Sequence, residues 1–232
     1  MKRFYRNAKV VESASGFFVQ LDGKPMQTPA KNTLAVPSRS LAEAIAAEWA
    51  SQGDEMNMVA LPVTRLVSTA IDRVVPRRAD VIAEIARYAG TDLLCYRAAA
   101  PPELAARQHA MWQSLLDWAE QRFDARLAVT DSITPIAQTP AALAALERAV
   151  AAHDAMMLVA LHLATAACGS VVLGLAVIER RLSPQEAFAA AQLDESFEIE
   201  RWGEDAELTK RRAALQDDIA LAARFAGLLR DN

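Results

Sequence analysis

Phe17-Phe18-Val19-Gln20-Leu21-Asp22-Gly23-Lys24-Pro25 is the stretch that sets the class of fold. A run of β-prone residues meets Asp22-Gly23, a pair that enters the left-handed backbone region at low cost and closes a tight hairpin. Outward from it lie Val10-Val11 on one side, and Pro25-Met26-Gln27-Thr28 and Thr33-Leu34-Ala35-Val36 on the other. Breaks at residues 13–16, 22–23 and 30–32 separate short strands, so the first forty residues predict an antiparallel sheet.

Pro37-Ser38-Arg39-Ser40 ends the strands and opens a helix, with Ser40 and Glu43 in the spacing of a capping box. Leu41, Ile45 and Trp49 share one face of that helix, at i, i+4 and i+8, and this face is expected to cover the sheet. Trp49 closes the stripe as a core residue, which puts Glu48 and Gln52 on the surface. Pro62 starts a further helical stretch and Pro76 punctuates it. From residue 77 onward the pattern is helical almost throughout: Val81, Ile85 and Tyr88 mark one helix, and Leu104, Gln108, Met111, Leu115 and Trp118 mark another. Residues 141–150 and 208–229 add further amphipathic helices. Between the first two, Asp92-Leu93-Leu94-Cys95-Tyr96-Arg97 fits either an extended or a helical segment. The expectation is an α+β protein: a small N-terminal antiparallel β-rich domain with a covering helix over 1–75, then a larger all-α domain over 76–232.

Composition narrows the function. The 232 residues are 53% hydrophobic and 23% charged, enough for a sizeable core, with a net charge of −4. A general basic surface for nucleic acid is absent. Cys95 and Cys168 lie among apolar neighbours without CxxC spacing and read as buried thiols. Met1-Lys2-Arg3 carries the charge of a signal peptide, but no apolar stretch follows, which fits a cytosolic or already processed organellar protein.

Residues 155–178 form a run of 24 without a formal charge, long enough for a membrane span. His162, Thr165, Gly169 and Ser170 interrupt it, and Ala outweighs Leu and Phe. A single helix buried on all sides of a helical domain has the same appearance, and the small residues favour that alternative.

The catalytic inventory is thin. His109, His153 and His162 make no metal-binding spacing, and GxGxxG, GxxxxGK[ST] and GxSxG are absent. No metal, cofactor or catalytic residue is assigned, and a protein that acts by binding is expected.

Ser183-Pro184-Gln185-Glu186 is a strong helix start: a Ser cap, Pro at the first position and Glu at the third. A helix from there to Trp202, ended by Gly203, would align Phe188, Ala191, Glu195, Ile199 and Trp202, with Leu193 and Phe197 on the other side. Glu195 then sits inside an apolar stripe, where a carboxylate is costly to bury unless it is paired. Two explanations stay open: an internal ion pair with Arg201 or an arginine of another helix, and a groove in which Glu195 meets a partner. Asp194 and Glu198 flank it, and Glu204, Asp205 and Glu207 extend the negative character.

In order along the chain stand Arg3-Phe4-Tyr5, Leu21-Asp22-Gly23-Lys24-Pro25 with Thr28-Pro29, Ala47-Glu48-Trp49 with Gln52, and Leu61-Pro62-Val63-Thr64 with Thr69-Ala70-Ile71-Asp72. Thr91 to Arg97, Leu115-Leu116-Asp117-Trp118 and Trp202-Gly203 follow. Together these resemble the chaperone family that assembles the soluble headpiece of F-type ATP synthase, the Atp-twelve family. The resemblance implies a β-rich N-terminal and a helical C-terminal domain. It also implies that the protein holds the isolated ATP synthase α subunit until it pairs with β, without nucleotide hydrolysis or membrane insertion. It implies a role for the acidic helix before Trp-Gly, which maps onto Glu195 with Asp194 as the second choice. Glu198, Trp202 and Trp49 complete the candidate contact residues. After Trp202-Gly203 the chain departs from the aromatic-acid-histidine continuation of mitochondrial members. A bacterial member in the cytoplasm is expected, its eukaryotic relatives lying in the mitochondrial matrix. Two other classes stay open: a small-molecule enzyme using carboxylates in an inter-domain cleft, and an assembly protein anchored through 155–178.

Overall fold

The computed structural model describes residues 2–14, 16–132 and 134–230; Met1 of the charged N-terminus and Ser15 of the first predicted break lie outside them. Four strands form one antiparallel sheet: β1 (Ala8–Ser13), β2 (Gly16–Leu21), β3 (Lys24–Pro25) and β4 (Ala35–Val36). Strand β2 pairs along its length with β1, from Ala8↔Leu21 to Ser13↔Gly16. Its other edge takes β3 at Leu21↔Lys24 and β4 at Phe17↔Val36. Asp22 and Gly23 have φ of 48° and 84°, the two positive values a type I′ hairpin requires. The Asp22 carboxylate also accepts the N–H groups of Arg6 and Asn7, which ties the incoming chain to the turn.

Helix α1 (Arg39–Ala50) packs on β1 and β2, and the residues of the predicted stripe, Leu41, Ile45 and Trp49, are buried. Its cap is Ser38 and not Ser40: the Ser38 hydroxyl accepts from Leu41 N–H and donates to Leu228 O. Helix α2 (Pro62–Thr69) runs into a π turn over Ala70–Val74. The chain divides into two compact units, one of Met1–Arg78 with Asp154–Ala160 and Arg224–Asn232, the other of Ala79–His153 with Leu161–Ala223.

The second unit is built on α3 (Arg78–Ala86), α4 (Pro102–Phe123), α5 (Pro140–Ala151), α7 (Val171–Ile178), α8 (Pro184–Ala191) and α9 (Leu193–Trp202), with most of α6 (Ala155–Cys168) and α10 (Ala206–Arg230). On α4 the inward aromatic is Trp112, whose Nε1 donates to Ala190 O; Met111, expected in the stripe, is exposed.

The uncharged run 155–178 is two helices and not one. Gly169 at φ 64° turns the chain, and Ser170 caps α7 by accepting from Leu173 N–H. Of the two, only α7 is buried on every side, all eight of its residues being buried, whereas α6 leaves Ala166 exposed. No helix among the described residues is long and apolar enough to cross a membrane.

Asp92 is fully buried beneath the start of α7. It caps the 3₁₀ turn Leu93–Cys95 through Leu94 N–H and accepts Val172 N–H. Cys95 and Cys168 are free, buried thiols, pushed up to about 12 chiefly by burial and further by Asp92.

Candidate functional site

The predicted capping box at the start of α8 is present: Ser183 Oγ accepts from Glu186 N–H, and the Glu186 carboxylate accepts from Ser183 N–H. The helix does not run on to Trp202. It ends at Gln192, and α9 begins anew at Leu193. The break shifts the phase of the wheel, so the predicted stripe dissolves. The inward residues of α9 are Leu193 and Phe197, those assigned to the opposite side, while Ile199 is half-buried.

Most acids of α9 are engaged within the second unit. Gln108 Nε2 donates to Asp194 Oδ1 at 2.8 Å. Arg107 pairs with both oxygens of Glu200, at 2.8 and 2.7 Å. Phe197 lies under two guanidinium groups, with Arg201 at 4.1 Å and Arg107 at 5.2 Å from its ring centre. Glu195 is half-buried and pairs with Arg211 of α10 at 3.3 Å, while Arg212 donates to Ser196 and faces Glu204. The arginine of another helix foreseen for Glu195 is therefore Arg211, in a pair open to solvent and worth little to stability.

What remains open is Glu198 and Trp202. Glu198 is exposed and pairs with no described residue. Trp202 is 82% exposed at the end of α9, where Gly203 takes φ 85°. An indole left in water at a helix end is the kind of apolar surface that protein partners cover.

Trp49 belongs to the other unit and is buried, its Nε1 donating to Thr64 Oγ1 at 3.1 Å. Glu48 and Gln52, expected at the surface, are buried beside it. Glu48 accepts from Val63 N–H (2.7 Å), Thr64 N–H (2.9 Å) and Thr64 Oγ1 (2.7 Å). These two N–H groups are unpaired donors of the first turn of α2, whose own N-cap, Leu61, has no side-chain oxygen to offer. A glutamate of α1 thus caps α2 across the fold, and its charge is favoured by the positive end of the helix.

Trp49 also lines a cleft of about 910 Å³ that sequence reasoning did not foresee. One wall is the loop 26–30 and the other is α2 with the π turn. Asp72, on the π turn, fastens the two: it accepts from Thr28 Oγ1 (2.6 Å), Ala30 N–H (3.0 Å) and Asn32 Nδ2 (2.8 Å). These bonds, that from Thr28 foremost, hold its carboxyl below the usual carboxylate range. Buried Met26, Trp49 and Leu61 contribute apolar lining, and Arg65 and Arg73 are exposed at the edge. The one local signal was Arg65, Thr69 and Arg73 at i, i+4 and i+8. The cleft itself joins residues far apart in sequence.

Four of the segments that carry the family resemblance meet here, through Thr28-Pro29, Trp49, Leu61 with Thr64, and Thr69 with Asp72. A family model described as ATP12 chaperone protein matches residues 2–120. The mitochondrial protein atp12 of Schizosaccharomyces pombe is 25% identical over 214 residues, covering 87% of this chain and 74% of that protein. The crystal structure of Atp12 from Paracoccus denitrificans superposes with a TM-score of 0.95 at 38% identity, over 99% of this chain and 98% of that one. A mutant of the same protein with Asp replaced by Lys gives the same values. Sequence match over half the chain and shared architecture over nearly all of it agree: the chain belongs to the ATP12 chaperone family.

Proposed function

We propose that the protein holds the unassembled α subunit of F-type ATP synthase, keeps it from aggregating, and yields it when the β subunit covers the same surface. Membership of the ATP12 family supports the broader role of assembly chaperone for ATP synthase, and this membership carries the proposal. The physical need is plain. An unassembled subunit exposes the apolar and charged surface its neighbour will later bury, and such surface aggregates. A chaperone of modest affinity covers it reversibly, with charges setting which partner is accepted. The action is by binding and not by catalysis, in the bacterial cytoplasm.

On the chaperone, the end of α9 is the surface we assign to this contact. Trp202 supplies an exposed aromatic anchor and Glu198 an unpaired charge. Glu195 adds a carboxylate that can exchange Arg211 for a basic group of the client. Asp194 holds the frame through Gln108, and Trp49 acts from its own unit as part of the cleft lining.

The test compares Glu195→Lys and Trp202→Ala with the unaltered chain in suppressing light scattering by free α subunit. Both side chains contribute little to folding where they stand, so melting should move by no more than ~2 °C. Protection should fall about tenfold or more for each. Unfolding by Glu195→Lys would make Glu195 a structural residue. Full protection by both variants would remove α9 from the contact.

A further inference from the structure

We propose that the cleft of the sheet-containing unit binds an extended polypeptide segment that alternates apolar and acidic side chains, an assignment that rests on the chaperone role above. Three observations converge on it. The cleft is a constructed feature and not a packing defect: Glu48 and Thr64 fix the Trp49 ring and the start of α2, and Asp72 clamps the loop opposite. Both oxygens of Asp72 are occupied by that clamp, so its charge belongs to the wall and not to a ligand.

The charge that remains is positive. The Arg65 guanidinium has no hydrogen-bonded or ion-paired partner among the described residues, and Arg73 has only the already bonded Asp72 beside it. In a chain of net charge −4, this cleft carries two exposed guanidinium groups on its edge. Guanidinium groups recognise carboxylates through paired N–H···O bonds. The same sign excludes a basic segment, which the acidic α9 of the other unit suits instead.

Apolar surface continues out of the cleft. Met58 lines it yet is 57% exposed, and Val59, next in the chain, is 77% exposed. A compact small molecule would leave that surface in water, whereas a polypeptide crossing the mouth covers it. The volume of about 910 Å³ stands near the upper end of the range of about 300–1,000 Å³ for enclosed ligand sites. It accommodates several side chains between Met26, Trp49 and Leu61, while Arg65 and Arg73 meet the acidic ones.

The experiment uses the full chain and fluorescence anisotropy with three short labelled peptides: alternating Leu and Asp, alternating Leu and Lys, and alternating Ser and Asp. The Leu–Asp peptide alone should saturate. Arg65→Glu combined with Arg73→Glu should weaken it about tenfold or more and admit the Leu–Lys peptide, with melting unchanged because both arginines are exposed. Several results would overturn the assignment: equal binding of the Leu–Asp and Leu–Lys peptides, no binding of any peptide, or indifference to the charge reversal. Displacement of the Leu–Asp peptide by equimolar inorganic phosphate would also overturn it, in favour of a small-anion site. The same double variant is then tried on free α subunit. Protection equal to that of the unaltered chain removes the cleft from client binding and leaves the chaperone role intact. Failure of the unaltered chain to protect α overturns the chaperone role, and the peptide result then stands separately.

Discussion

Removing the Glu48 carboxylate should destabilise the sheet-containing unit more than its place on an amphipathic helix would imply. Glu48→Ala strips three acceptor contacts at once: the N–H groups of Val63 and Thr64 and the hydroxyl of Thr64. Hydrogen bonds to a charged group are each worth about 1.5–3 kcal/mol, and loss of a helix cap alone costs about 0.5–2 kcal/mol. The three contacts share one carboxylate and do not add fully, and water entering the vacated space recovers part of the loss. The expected cost is about 3–5 kcal/mol. At about 2–4 °C per kcal/mol for a chain of this size, the transition should fall by roughly 6–20 °C. Glu48→Gln keeps one acceptor oxygen but turns an amide NH₂ toward an N–H donor, and should cost about half as much. Differential scanning calorimetry gives the shift, and near-ultraviolet circular dichroism follows the Trp49 ring that Thr64 orients. A Glu48→Ala transition within ~2 °C of the unaltered chain would refute the cross-fold cap, as would Gln and Ala variants of equal cost.

Other expectations concern the helical unit. Burial raises the Asp92 carboxyl from 3.8 to about 6, against the hydrogen bonds it accepts. Between those two values the folded chain binds more protons than the unfolded one, so this group withdraws about 3 kcal/mol of stability as pH rises from 3.8 through 6. Asp92→Asn should therefore be less harmful, relative to the unaltered chain, at pH 7.5 than at pH 4, as read by denaturant titration; the reverse order would show the carboxylate to be favoured where it lies. Gly174→Ala gains about 1 kcal/mol of helix propensity but sets a Cβ 2.3 Å from Thr165 Oγ1 and 3.1 Å from Thr165 N. The backbone contact cannot yield easily, so a net loss of about 1–3 kcal/mol is expected in the same titration. Thr165→Ala removes a buried hydroxyl that has no hydrogen-bond partner among the described residues and should be close to neutral.

Local chemistry made the sheet and its covering helix legible. Asp22-Gly23 encodes a turn whose two positive φ values few other pairs tolerate, and Leu41, Ile45 and Trp49 show their face without help from distant residues. Sequence pattern and structure part where a distant residue decides. Glu48 sits on α1 with a polar residue's ordinary claim to the surface, and only α2, fifteen residues on, brings it inside. The break at Gln192 carries no Gly or Pro, so the pattern reads as one continuous wheel through two helices and puts Glu195 in a stripe that does not exist. At Gly169-Ser170 the signal was present, but glycine serves close packing and chain reversal alike, and the φ of 64° distinguishes them only in the folded chain. The cleft was invisible for a related reason: Thr28, Trp49, Thr64 and Asp72 belong to separate segments, and their convergence is a property of the tertiary fold.

The central claim is that the chain captures the free ATP synthase α subunit and gives it up to β. Size-exclusion chromatography with light scattering, on the purified chain mixed with recombinant α subunit, tests it most directly. The expected result is a complex that disperses on adding β subunit, with the chaperone returning to its own elution position. Absence of a complex, or one that β leaves intact, would contradict the claim.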